Sequence, residues 1–359
     1  MRQLASLAFA AAILAPSGSV AAQEIRLTGA GATFPYPIYS KWVLEYATVR
    51  PNMQINYQSI GSGGGIRQFT DHTVDFGATD GPMADSQITA VGGNVLHIPT
   101  VLGAVVPIYE VPGVTQQLRF TPDVLAGVFL GQITRWNDSR ITAANPGVPL
   151  PERDIVVVHR SDGSGTTYIF TDYLSKVSPD WAGRVGKGTA VNWPAGLGGR
   201  GNEGVASTVR GTPGAIGYVE LIYAVQNRIP FGTVRNHAGQ FVAASLASTT
   251  AAAASATFTA DTDFRVSITD AAGDAAYPIA SFTWLLIPRQ ISDPVKARAL
   301  LEFIWWATHD GQRFAEALSY ASLPGPVVGL IEARLRSVTA GGRPVLPANF
   351  GQGTAPRGR

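Results

Sequence analysis

Four short segments hold most of the side chains in this sequence that are equipped for chemistry. They are Gly29-Ala30-Gly31-Ala32-Thr33-Phe34-Pro35, Gly61-Ser62-Gly63-Gly64-Gly65, Asp75-Phe76-Gly77-Ala78-Thr79-Asp80 and Arg160-Ser161-Asp162-Gly163-Ser164-Gly165-Thr166-Thr167. The first, second and fourth run into helix-like sequence. A helix start offers unpaired backbone N–H groups and a positive dipole end, which together suit an anion. Glycine lets the backbone approach closely, and Ser and Thr hydroxyls donate without adding charge. Arg160 adds a planar, permanently charged fork matched to an oxyanion. Taken singly, each segment has an ordinary alternative. The Gly-Ser-Gly-Gly-Gly run reads equally as a turn, Ser164-Gly165-Thr166 as a plain N-cap, and Arg160 with Asp162 as a surface ion pair. The recurrence of donors at several helix starts, in a chain with few charges, argues for one shared anion.

Asp80 stands apart in that set. A carboxylate beside an anion repels it unless a proton lies between them. A mono-hydrogen phosphate carries such a proton, and an ionised Asp can accept it. Sulfate has none and would meet Asp80 acceptor to acceptor, at a cost of about 1–3 kcal/mol or more for a charged group. The alternative for Asp80 is a helix N-cap, since Gly81-Pro82 follows it.

These residues need a scaffold of strands and helices. Strand-like runs occur at 25–28, 54–58, 74–79, 154–159 and 215–219, and 95–110 reads as one strand or a pair. Helix-like runs occur at 35–49, 66–70, 166–177, 294–307 and 327–338, with 61–65 as a loop. The alternation favours an α/β fold with largely parallel sheets. Residues 243–260, rich in Ala, Ser and Thr, read as a surface helix or loop, and 341–359 as a frayed tail.

The chain has 359 residues, 27 Lys plus Arg against 25 Asp plus Glu, and no Cys. Without Cys, a disulfide scaffold, a zinc-thiolate site, an iron–sulfur centre and a thiol nucleophile are all excluded. The net charge of +2 is too small for a basic nucleic-acid binder. Charged residues make up 14% of the chain, against roughly 25% in an average domain. The first 22 residues read as a cleavable secretory signal peptide: Arg2, an apolar run of about 11 residues, then Val20-Ala21-Ala22. No Cys follows that run, so a lipoprotein is not expected.

Other motifs fail. There is no Gly-x-x-x-x-Gly-Lys-Ser/Thr and no Gly-x-Ser-x-Gly. The five histidines are scattered, so no metal site is expected. Gly196-Leu-Gly198-Gly-Arg-Gly201 matches the dinucleotide pattern in letters, but Asn192-Trp193-Pro194-Ala195 precedes it and it reads as a loop. Trp305 and Trp306 read as core. A phosphatase using Ser164 or Thr166 as nucleophile would need a base or metal that these loops do not supply.

Across nearly the whole chain the sequence resembles the phosphate-binding protein of the high-affinity phosphate ABC transporter. The matching segments are GAGATFP (29–35), YQSIGSGGG (57–65), VDFGATD (74–80), RSDGSGTT (160–167), GLGGRGNEG (196–204), PGAIGYVE (213–220) and YASLPGPVV (320–328). The resemblance implies a periplasmic-binding-protein type II fold, with two α/β lobes joined by a two-strand hinge and the ligand in the cleft. Residues 23–107 plus 281–359 would form lobe I and 108–280 lobe II, with crossings near 107–109 and 279–282. It also implies the ligand, inorganic phosphate, and a site. Thr33, Phe34, Ser62 and Asp80 would come from lobe I, and Arg160, Ser164, Gly165 and Thr166 from lobe II. Asp162 would orient Arg160. No catalytic residue and no cofactor are implied. The expected protein is a periplasmic monomer that hands phosphate to a membrane permease. Two positions depart from the family: Gly63 stands where a second Ser is frequent, and Tyr36 where a small residue is usual. Tyr36 is expected to reshape the cleft edge.

Overall fold

A computed structural model describes residues 24–254, 256–258 and 262–351. The expected signal peptide and the last eight residues of the expected tail lie outside the described residues.

From the N-terminus the chain forms β1 (Ile25–Gly31), α1 (Tyr36–Val49), β2 (Met53–Ser59), α2 (Ser62–Thr70), β3 (Phe76–Thr79), α3 (Asp85–Ala90) and β4 (Leu96–Glu110). The middle third contributes β5 (Arg119–Phe120), α4 (Pro122–Phe129), α5 (Ser139–Ala144), β6 (Val156–Arg160), α6 (Gly165–Val177), α7 (Pro179–Arg184), β7 (Leu197–Gly199), α8 (Gly201–Gly211), β8 (Ala215–Glu220) and α9 (Leu221–Asn227). There follow β9 (Thr233–Arg235), β10 (Phe241–Val242), α10 (Leu246–Ala253), β11 (Ala280–Ile287), α11 (Pro294–Thr308), α12 (Gly325–Arg336), β12 (Thr339–Ala340) and β13 (Arg343–Pro344).

Eight strands form one sheet in the order β2-β1-β3-β11-β4-β8-β6-β7. Its two ends are parallel: β2 and β3 flank β1, and β8 and β7 flank β6. The pairings β3–β11, β11–β4 and β4–β8 in the centre are antiparallel. The expectation of largely parallel sheets therefore fails in the middle. Each end is built from strand–helix–strand crossovers, which force parallel pairing. The central strands are joined by longer routes that impose no such direction. Residues 95–110 are one strand, not two. Apolar side chains bury β4 as far as Tyr109. It pairs with β11 up to Ala104 and with β8 from Val105, so it runs through both halves of the sheet.

Helix ends follow local chemistry. Asp293 caps α11 by accepting from the N–H groups of Val295 and Lys296, with Pro294 in the first turn. In α1 the buried set is Ile38, Tyr39, Trp42 and Tyr46, one face of a 3.6-residue period. Trp42 donates to the carbonyl of Gly311 at 2.7 Å, tying α1 to the C-terminal segment.

Four expectations change. The segment 243–260 contains α10, which buries Ser248, Thr249, Ala252 and Ala253. Its small side chains let a helix approach β4 and β11, so it is a packed element. The described part of the tail packs on the body: Leu346 is buried, and Phe350 meets Trp305 edge-on at 5.0 Å. Trp306 is core, but Trp305 is half-buried, stacked on His309 with Arg336 over its ring. The run 196–201 is not a loop. Leu197–Gly199 form β7, and Gly201 opens α8. Gly199 permits that turn, because a Cβ there would lie 2.7 Å from the Val205 nitrogen.

Candidate functional site

The N-termini of α1, α2 and α6 and the ends of β3 and β6 carry the residues singled out from the sequence. Ser62–Gly65, read as a loop, is the first turn of α2. Glycine makes this possible by contact rather than flexibility. A Cβ on Gly65 would lie 2.5 Å from the Gly31 Cα, and one on Gly63 3.0 Å from the Gly163 Cα. The two glycines meet across the cleft, where the Gly63 N–H donates to the Gly163 carbonyl at 2.9 Å. A serine at Gly63 would need the Gly163 backbone to give by a few tenths of an ångström. Ser164 caps α6, accepting from the Thr167 N–H at 3.0 Å. The plain capping reading is thus correct for its oxygen, and the hydroxyl proton stays available to a ligand.

The structure brings all eight sequence-derived site residues together, and all are buried. Gly165 N–H reaches Ser62 Oγ at 3.0 Å, linking α6 to α2. Ser62 Oγ also accepts from the Asp80 N–H at 3.2 Å. Phe34 inserts its ring beside Gly103 of β4, where any Cβ would lie 2.5 Å from the ring edge. Its carbonyl accepts from the Tyr320 hydroxyl at 2.6 Å. That leaves Phe34 to act through its backbone.

Arg160 is not a surface residue. Its side chain is 1% exposed and that of Asp162 13%. Nε and Nη2 bond the two carboxylate oxygens of Asp162 at 2.8 and 2.5 Å. Nη1 points to Thr166 Oγ1 at 3.3 Å. Asp162 also accepts the Gly201 N–H at the start of α8. Burial works against its charge, but the Arg160 bonds and the backbone donor hold its carboxyl below the usual range. The pair therefore stays ionised, and Arg160 is fixed in one orientation.

Asp80 ends β3 and caps no helix, since α3 begins five residues later at Asp85. It is 1% exposed. Burial pushes its carboxyl up to about 7, while a Thr283 hydrogen bond, the Arg160 charge and Ser62 pull it back. Thr283 Oγ1 donates to Oδ1 at 2.7 Å. Asp80 thus changes charge near neutrality, a consequence of burial that residue types alone do not reveal.

Three more residues belong to this cluster and were missed. Thr283 is one of two hydroxyls, with Ser281, in the mainly apolar β11. Tyr223 of α9 donates to the Thr33 carbonyl at 2.5 Å. Asn202 of α8 bonds both Thr33 and Thr166. The only sequence signal for Asn202 is its place in the glycine run 196–204. Beneath them Glu220 is fully buried, and burial raises its acid well above the carboxylate range. Tyr36 lies outside the cluster. It is 39% exposed and lines a groove of about 680 Å³ with Leu44, Glu203 and Tyr223. Among the described residues no group of three or more His, Asp or Glu is placed to hold a metal ion.

Comparison with known proteins follows this geometry. Residues 16–310 match the family model described as a PBP superfamily domain. The phosphate-binding protein PstS of Xylella fastidiosa (strain Temecula1) is 46% identical over 319 residues, covering 89% of this chain and 87% of that protein. PstS of Pasteurella multocida is 43% identical, covering 91% and 94%. The crystal structure of a phosphate-binding protein from Stenotrophomonas maltophilia superposes with a TM-score of 0.65 at 17% identity, covering 86% of this chain and 93% of that one. At that identity it bears on the fold alone. The fold is the periplasmic-binding-protein type II arrangement of two α/β lobes, and the chain belongs to the PstS family of phosphate-binding proteins.

Proposed function

We propose that this chain captures inorganic phosphate outside the cytoplasm and delivers it to the membrane permease of an ABC transporter. The observation that carries this reading is the buried cluster itself. Four hydroxyl side chains at helix N-terminal ends, the oriented Arg160 at the end of β6 and the buried Asp80 just after β3 converge there. Thr33, Ser62, Ser164 and Thr166 donate hydroxyls, and Phe34 and Gly165 backbone N–H groups. Arg160, held by Asp162, supplies the charge. Fixed donors replace water around the anion as the lobes close, which offsets the cost of burying its charge.

The lobes would divide as the sequence suggests, 23–107 plus 281–359 against 108–280. Support comes from β4, which exchanges β11 for β8 between Ala104 and Val105, and from β11 beginning at Ala280. The protein would act as a monomer, without catalysis, after removal of residues 1–22. Among the described residues no helix is long and apolar enough to cross a membrane.

Asp80 supplies the test. Ionised, it accepts the one proton of a mono-hydrogen phosphate and repels sulfate. With its carboxyl near 7, it is protonated in mild acid and can then donate to sulfate. Calorimetric titrations with both anions should give a phosphate preference that is large at pH 8.5 and smaller at pH 5.5. Equal affinities at pH 8.5 would defeat the reading.

A further inference from the structure

Asn202 has every polar atom engaged. Its Nδ2 donates to Thr33 Oγ1 at 2.8 Å and to Thr166 Oγ1 at 3.1 Å, and its backbone N–H reaches Thr33 Oγ1 at 3.3 Å. Its Oδ1 accepts the Glu220 N–H at 3.0 Å. That last contact fixes the amide. A backbone N–H can only donate, so the oxygen faces Glu220 and the NH₂ must face the two threonines.

The consequence lies in the lone pairs. A hydroxyl has one proton and two acceptor positions. Thr33 Oγ1 has both positions filled, by Nδ2 and by the backbone N–H of Asn202. Those of Thr166 Oγ1 are filled by Asn202 Nδ2 and by Arg160 Nη1. Each hydroxyl then has only its proton left, and must donate it.

We propose that Asn202 is a positioning residue that sets the hydrogen-bond polarity of the site. Its amide makes Thr33 and Thr166 obligate donors. The faces they present therefore take bare anionic oxygens and reject a ligand O–H. Asp80 is then the side chain left to meet the single ligand proton. Asn202 contributes specificity without touching the ligand, and it ties α8 to the loop before α1, across the cleft. The inference rests on the phosphate reading given above.

The test is phosphate titration of wild type, Asn202→Asp and Asn202→Ala, with far-UV circular dichroism to confirm folding. The Asp variant keeps the shape but offers the threonines only acceptors, so their protons turn away from the ligand. At pH 8 its affinity should fall about 100-fold, the loss expected for two hydrogen bonds to a charged group. Towards pH 5, as that carboxyl takes a proton, the deficit should shrink at least tenfold relative to wild type at the same pH. Asn202→Ala should show a deficit that does not change with pH. Arg160 and Asp162 beside α6, Glu203 on α8, Glu220 on β8 and Asp80 after β3 also face this region. Asn202→Ala, which adds no charge, is the control for them. An Asn202→Asp protein that binds within threefold of wild type at pH 8, or whose deficit matches the alanine variant at every pH, overturns the role. Should Asn202→Asp not fold, Asn202→Ala is measured in a Thr33→Val, Thr166→Val background. There it should cost almost nothing further, and an undiminished cost overturns the role. Wild type failing to bind phosphate would sink the parent reading instead.

Discussion

Gly165 shows how closely single residues are constrained. A Cβ added there would lie 2.5 Å from the Asp80 side chain and from Ser62 Oγ. Under the proposed division both belong to the other lobe, so the clash would exist only when the lobes meet. Alanine should therefore suit α6 by itself, since glycine costs a helix interior roughly 0.5–1 kcal/mol relative to alanine. Gly165→Ala should leave the ligand-free urea midpoint unchanged or raised, yet weaken phosphate binding at least tenfold. A variant that binds as tightly as wild type would show that the contact between α6 and Asp80 is not required. The sequence pointed to Gly165 because glycine beside Ser and Thr at a helix start has a local chemical meaning. It did not point to Asn202 or Thr283. Their partners are distant in sequence, Thr33 for one and Asp80 for the other, and only the folded chain brings each pair together.

Among the elements, helix starts do most of the site's work, and they were largely legible. Ser164 opening α6 and Pro35 preceding α1 are local signals. What escaped was how far α2 reaches into its glycines, because the reason is the nearness of Gly31 and Gly163. The antiparallel centre of the sheet escaped as well, because strand direction there is set by chain routing rather than side-chain period. Ser164 permits a test at this scale. Its Oγ caps α6, and its proton is free for an anion. Ser164→Ala should lower stability by about 1 kcal/mol through the lost cap. It should also weaken phosphate binding by roughly tenfold through the lost donor. Loss of stability with unchanged affinity would reduce Ser164 to a cap.

At the scale of the whole molecule, buried acids tie stability to pH. Asp80 holds its proton to about pH 7 when folded, against an ordinary carboxylate value when unfolded. The folded state then binds more protons between about pH 4 and pH 7, so stability is highest at the acid end of that window and falls as pH rises through it. Glu220 acts in the same direction. Asp80→Asn removes one contribution, so the ligand-free variant should gain on wild type by more at pH 8 than at pH 5. Urea titrations at the two values check this, and an equal difference at both would mean that Asp80 is not held protonated. The path of β11 has a different consequence. It inserts between β3 and β4, so the facing edges of those two strands are joined only when residues 280–287 arrive. Until then the first half of the sheet has an open edge and cannot close its core. Pairing over such sequence distances is slow to form. A nascent chain with this topology cannot join the two halves of its sheet until nearly all of it has been made.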